Sequence, residues 1–311
     1  MQIETDTKPH ADTRRLDKRL IPVGAVLGCS MVALALGSHS GPLTSLKAIV
    51  LGIVEGITEF LPISSTGHLL MTQRALGLGS GAGKTAADTF AIAIQVGAIA
   101  AVVAIYWRRI VQLCNGLIGR DAEGRRLLLR LVVAFLPAAI VGVALGDSIK
   151  KHLFGPWPII VAWAVGGVFL LWWRPRRGYL ELDTLSYQHA AIIGAAQILA
   201  LLPGTSRSLA TMVAALGVGL TMSAAVEFSF LLGLVTLSAA TVLDLAKDGK
   251  TLLSDYGWRT PLLGTLVAFV TALIAVKWLI TYLRTRPLTI FGWYRLAAAG
   301  LCAVLVATNV L

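Results

Sequence analysis

Leu46-Lys-Ala-Ile-Val-Leu-Gly-Ile-Val-Glu55-Gly-Ile-Thr-Glu59-Phe-Leu-Pro62-Ile-Ser64-Ser65-Thr66-Gly-His68-Leu-Leu70 is apolar enough to enter a bilayer, yet it carries two carboxylates and an imidazole. The arm before Pro62 is about 15 residues, or roughly 22 Å of helix at 1.5 Å per residue. That falls short of the ~30 Å hydrocarbon core, which takes about 20 residues to cross. The arm from Pro62 to Gly79 is shorter still. Two short helices broken by Pro-Ile-Ser-Ser-Thr-Gly read as a re-entrant hairpin over residues 46–79, with its tip inside the membrane. Irregular backbone at that depth is tolerated only where protein or a wet cavity satisfies it.

The rest of the chain is consistent with a membrane setting. It has 311 residues, 56% of them hydrophobic and 14% charged, with a mean hydropathy of +0.77. Several long apolar runs make it an all-α polytopic membrane protein and exclude a soluble domain. The net charge of +11 does not indicate nucleic acid, because most Lys and Arg sit in short loops between apolar runs, where they set orientation. Cys29, Cys114 and Cys302 lack metal-ligand or CxxC spacing, and no disulfide framework is indicated.

Taken in order, residues 1–19 read as a polar cytoplasmic tail, with Arg14, Arg15, Lys18 and Arg19 beside the first apolar run. Residues 20–45 supply an extra membrane helix (20–37) and a linker. A retained helix fits its length better than a signal-peptide core. Residues 46–311 form the main membrane domain. Spans are expected at about 88–107, 127–146, 157–173, 223–243, 261–283 and 290–310. The loop from Arg108 to Arg130 holds six arginines and marks the cytoplasm.

A second broken pair covers about 188–220: Ala190–Leu202, then Pro203-Gly-Thr-Ser206-Arg207-Ser208, then Leu209–Leu220. With the tail inside, counting crossings brings the first hairpin in from outside and the second from the cytoplasm. Leu61-Pro-Ile-Ser-Ser65 also resembles Leu202-Pro-Gly-Thr-Ser206. The pattern predicts an inverted-topology repeat whose two hairpins meet at the bilayer midplane, where such folds place their site.

Glu55 and Glu59 are four apart and share a helical face. A charge in mid-membrane costs ~2.5–3.5 kcal/mol on insertion scales. A divalent cation or an arginine between the two acids lowers that cost, and hard cations such as Mg²⁺ or Ca²⁺ prefer carboxylate oxygens. Ser64, Ser65 and Thr66 open the second arm, where free N–H groups suit an anion. One hydroxyl suffices for capping. His68, three residues after Ser65, makes a minimal nucleophile–base pair with it. In the second pair, Ser206, Arg207 and Ser208 again open a helix, and Thr211 shares a face with Arg207. Arginine grips phosphate in a two-pronged way. Glu227 is a further intramembrane acid, with a supporting or path-lining role. The inventory is that of phosphate handling within lipid.

The motifs Glu55-Gly-Ile-Thr-Glu59-Phe-Leu-Pro-Ile-Ser-Ser-Thr-Gly-His68 and Pro203-Gly-Thr-Ser-Arg-Ser-Leu-Ala-Thr211 resemble the two signatures of the undecaprenyl-diphosphate phosphatase, or bacitracin-resistance, family. The likeness covers roughly residues 46–311. It implies hydrolysis of undecaprenyl diphosphate to the monophosphate carrier lipid and phosphate, with a divalent metal, in the bacterial cytoplasmic membrane, at a site open to the periplasm. The family's acidic pair falls on Glu55 and Glu59, its serines on Ser64 and Ser65, and its histidine on His68. Its second motif falls on Ser206, Arg207, Ser208 and Thr211. Residues 1–45 depart from the family pattern.

On this reading Glu55 and Glu59 hold the metal. Arg207 and the helix starts, with Ser64, Thr66, Ser206, Ser208 and Thr211, hold phosphate. Ser65 attacks with His68 as general acid/base, or else a water activated by His68 or a glutamate does so. The expected partners are the prenyl diphosphate lipid and the bilayer; self-association into a homo-oligomer is left open. The competing class is a carrier-lipid flippase or transporter using the same site.

Overall fold

The computed structural model describes residues 43–78, 84–175 and 177–310. The polar tail, the helix expected at 20–37, Cys29 and Gly79 lie outside the described residues. Everything described is helical apart from turns and one isolated bridge between Leu180 and Leu220.

Both broken pairs are present as helix–turn–helix units. In the first, α1 (Ser45–Thr58) is followed by the turn at residues 59–64 and α2 (Ser65–Ala75). Then come α3 (Lys84–Ile105), α4 (Trp107–Leu117), α5 (Ala122–Leu153) and α6 (Pro156–Trp172). The second pair consists of α7 (Tyr187–Gln197), a 3₁₀ turn (Ile198–Leu201) and α8 (Arg207–Gly217). The chain finishes with α9 (Met222–Tyr256), α10 (Arg259–Leu283) and α11 (Thr289–Ala307). Among the described residues, five helices are long and apolar enough to cross a membrane: α3, α5, α9, α10 and α11; α6, at 17 residues, is shorter. None of the four helices in the broken pairs exceeds 14 residues.

Two differences from the sequence reading have plain causes. The arginine-rich stretch expected as a loop contains α4, an amphipathic helix. Its Trp107, Val111 and Leu117 are exposed, while Ile110 and Leu113 pack on the core. A short helix with charges on one side gives little apolar run to detect. The spans expected at 127–146 and 223–243 extend instead to 32 and 35 residues, about 48 and 52 Å. Polar residues end a hydropathy run without ending a helix. The two long helices are tied to each other by Lys150 and Asp244, 3.5 Å apart.

Small residues bring the first pair against its neighbour. On α1, Gly52 and Gly56 are one turn apart and rest on the backbone of Gly264, Ala268 and Ala272 in α10. This is the close small-residue packing on which membrane helices depend. Thr271 adds a hydroxyl bond to the Gly52 carbonyl at 3.3 Å. Around the tips the core is dense and aromatic: Phe60, Trp163, Phe228, Phe230 and Phe291 are at most 1% exposed.

Candidate active site

The turns of the two broken pairs touch, and their residues build one buried cluster. Each short second helix starts from a serine in an unusual conformation. Ser64 has φ 74° and Ser206 φ 75°. Ser64 Oγ accepts the N–H of Gly67, and Ser206 Oγ accepts that of Leu209. Non-glycine residues rarely hold positive φ, and such strain collects at functional sites. The matched caps pair Ser64 with Ser206, one place off the letter-by-letter match of Leu61–Ser65 with Leu202–Ser206. The second turn carries one residue more, and its Gly204 sits at φ 90°. In this register the first helical residues are Ser65 and Arg207.

Those two residues converge on Glu59. Ser65 Oγ donates to Glu59 Oε2, and Arg207 Nη2 donates to Glu59 Oε1 at 3.3 Å. Arg207 Nη1 donates to the Ser229 carbonyl at 3.0 Å, and the guanidinium lies 5.3 Å from the Phe60 ring centroid. Space for it comes from Gly233, where any β-carbon would meet the guanidinium. A buried ion pair repays its desolvation only when its other hydrogen-bonding groups are met. Here Arg207 Nε has no partner.

Glu55, one turn before Glu59, is fully buried, and neither carboxylate oxygen has a hydrogen-bond partner. The one guanidinium is engaged by Glu59, so Glu55 takes up either a proton or a cation. No cluster of three or more His, Cys, Asp or Glu exists among the described residues. The acids that the site offers a cation are Glu55 and Glu59. That fits a hard divalent ion which takes one or two carboxylates and completes its shell with water and phosphate oxygens.

His68 is placed differently from the sequence expectation. Its Nδ1–H donates to the Ser64 carbonyl at 2.7 Å, which leaves Nε2 to accept the Tyr294 hydroxyl at 2.7 Å. Its ring lies between Trp163 and Tyr294, with centroids at 4.6 and 5.6 Å. Both nitrogens are engaged, and the Ser65 hydroxyl turns to Glu59.

The remaining polar residues build the second turn. Ser208 Oγ donates to the Leu61 carbonyl at 2.9 Å, across the two turns, and lies 3.1 Å from Ser206 Oγ. Thr211 Oγ1 donates to the Arg207 carbonyl at 2.9 Å and lies 2.5 Å from Ser229 Oγ. Thr66 is partly exposed beside them. Glu227 does not join the cluster: it accepts Arg109 Nε of α4 at 2.6 Å, and its side chain is 20% exposed. It serves as a structural tie.

Sequence reasoning passed over Tyr294 and Arg295. Arg295 is 1% exposed and donates to five carbonyl oxygens: Pro62, Ala162, Trp163, Gly204 and Thr205. Two distances define that grip, 2.8 Å to Ala162 and 2.9 Å to Gly204. The guanidinium bolts both turns to α6. An arginine inside the apolar run at 290–310 was the available signal.

Comparison with known proteins finds relatives over most of the chain. The family described as bacitracin resistance protein BacA matches residues 48–301. Undecaprenyl-diphosphatase 1 of Acinetobacter baylyi is 39% identical over 265 residues, 84% of this chain and 95% of the relative. Undecaprenyl-diphosphatase 2 of Rhodospirillum rubrum is 44% identical over 255 residues, 81% of this chain and 91% of the relative. The undecaprenyl-diphosphatase of Sorangium cellulosum is 44% identical over 261 residues, 82% of this chain and 84% of the relative. With both signature turns, and with this coverage of its relatives, the chain belongs to the BacA family of bacitracin resistance proteins.

Proposed function

We propose that this protein is an integral-membrane phosphatase that hydrolyses undecaprenyl diphosphate to undecaprenyl phosphate and inorganic phosphate, recycling the carrier lipid. It is a multi-pass protein of the bacterial inner membrane. The observation that carries the reading is the Ser65 hydroxyl held by a carboxylate whose other oxygen is gripped by Arg207.

Ser65 Oγ attacks the terminal phosphorus and passes its proton to Glu59. The bond from that phosphorus to the bridging oxygen breaks, and the lipid monophosphate leaves. Water then cleaves the phosphoserine, releasing inorganic phosphate and restoring the hydroxyl. Arg207 turns from Glu59 to the equatorial phosphoryl oxygens, where charge spreads in the transition state. The free N–H groups at the starts of α2 and α8 add to this field. His68, bonded at both nitrogens, holds the Ser64 carbonyl and thereby the turn that presents Ser65. A divalent cation, Mg²⁺ or Ca²⁺, would be held by Glu55 and Glu59 and would neutralise diphosphate charge.

The two broken pairs are read as re-entrant hairpins of an inverted repeat, entering from opposite faces, with the site open to the periplasm. Their short helices and the arginine pattern of the loops support this. A flippase needs no hydroxyl poised on a carboxylate, so transport alone leaves Ser65 without a task.

The test is phosphate release from undecaprenyl diphosphate by the purified protein, with and without chelator. Wild type should turn over, chelator should suppress it, and Ser65→Ala should abolish it. Turnover by Ser65→Ala near the wild-type rate would remove the covalent route and leave water activated by Glu59.

A further inference from the structure

Gln197, the last residue of α7, was assigned nothing by the sequence motifs. It is 1% exposed. Its Oε1 lies 3.3 Å from the Thr236 hydroxyl, whose proton goes to the Leu232 carbonyl at 2.9 Å, while its Nε2 is buried with no partner. A buried donor left bare costs about 1–3 kcal/mol, so a native protein keeps one for a reason. Turning the amide over still leaves one donor hydrogen bare, because Thr236 offers a single oxygen.

Its location links it to the site. Thr236 lies three residues beyond Gly233 on the same face of α9, and Gly233 is the position that makes room for the Arg207 guanidinium. Residues three apart on a helix are neighbours, about 5–6 Å between β-carbons. The Gln197 amide is thus roughly one turn from Arg207, whose own Nε also lacks a partner. Each turn thus has, on the helix that precedes it, a buried side chain with bare polar atoms: Glu55, an acceptor, and Gln197, a donor.

We propose that Gln197 is a phosphate-binding residue: its carboxamide N–H donates to an oxygen of the diphosphate held by Arg207. Glu55 faces the cation, and Gln197 faces the anion. This rests on the phosphatase reading for its substrate but not for its measurement.

Inorganic pyrophosphate is the probe, and its binding is read as a concentration-dependent rise in the melting temperature of the full chain. Wild type is compared with Gln197→Glu, which keeps the shape and removes the donor, and with Gln197→Met, which keeps the volume. The pyrophosphate dissociation constant should rise about tenfold or more in both variants. The KM for prenyl diphosphate should rise by the same factor, with kcat within about threefold. The melting temperature without pyrophosphate should hold in at least one variant. An unchanged dissociation constant in a folded variant overturns the proposal, as does a loss confined to the unliganded melting temperature. If wild type releases no phosphate while pyrophosphate binding still depends on Gln197, the phosphatase reading falls and this one stands.

Discussion

The two turns share a scaffold and divide the chemistry. Both start a helix of 11 residues from a serine with φ near 75°, and both cap it with that serine's own hydroxyl. The first turn puts Ser65 at the first helical position and brings Glu55, Glu59 and His68 around it. The second puts Arg207 there, preceded by Gln197 on α7, and has no carboxylate where the first has Glu55 and Glu59. One turn accepts and the other donates. Neither alone makes a site: the acids without Arg207 are uncompensated in an apolar setting, and Arg207 without Glu59 is a buried cation with one carbonyl for company. The backbone is a common holder, and residue identity at a few positions decides which polar groups it presents.

The comparison can be broken at either turn. Removing the donor half should do most damage: Arg207→Ala should cut kcat by about 10³-fold or more, the range for an arginine that stabilises phosphoryl transfer. Ser65→Ala should come close to that, since no neighbouring hydroxyl is held on Glu59. Glu59→Gln should lose about 10²–10³-fold, with phosphate release again the readout. A smaller effect should follow from Gly233→Ala, whose β-carbon displaces the guanidinium without removing it: about tenfold to 10²-fold in kcat/KM. The smallest is Tyr294→Phe. It deletes one hydrogen bond to His68 and should cost about 1 kcal/mol of stability in thermal unfolding, with a change in kcat of only a few fold. If Tyr294→Phe instead matched Ser65→Ala, His68 would be the working base and the roles assigned at the first turn would have to change.

Much of this was legible in the chain. Two apolar segments too short to span, each broken by Pro and hydroxyl residues, located both turns. Charged residues placed where they are costly identified Glu55, Glu59, His68 and Arg207. What the sequence hid is what long-range packing supplies. The spacing of Ser65 and His68 suggested a pair, but a spacing does not say which way a hydroxyl points, and the neighbouring carboxylate and the Tyr294 hydroxyl took the two partners. Arg295 reads locally as one cation in an apolar run; its five carbonyl partners come from the two turns and α6, 90 or more residues away. The extra Gly204 also shifts the second turn by one place, so aligning letters concealed the equivalence of Ser65 with Arg207. The serines and Thr211 of the second motif, expected on phosphate, spend their hydroxyls on the turn itself.

The claim beneath all of this is that the two turns act as one catalytic unit through Glu59 and Arg207. A double-mutant cycle on phosphate release tests it most directly, with Glu59→Gln, Arg207→Met and the combined variant in the full-length protein. Residues that act as a unit are strongly non-additive. The account predicts that the double variant is no slower than the worse single variant, within about threefold. Losses that multiply would contradict it, and would mean that the two turns contribute to turnover independently.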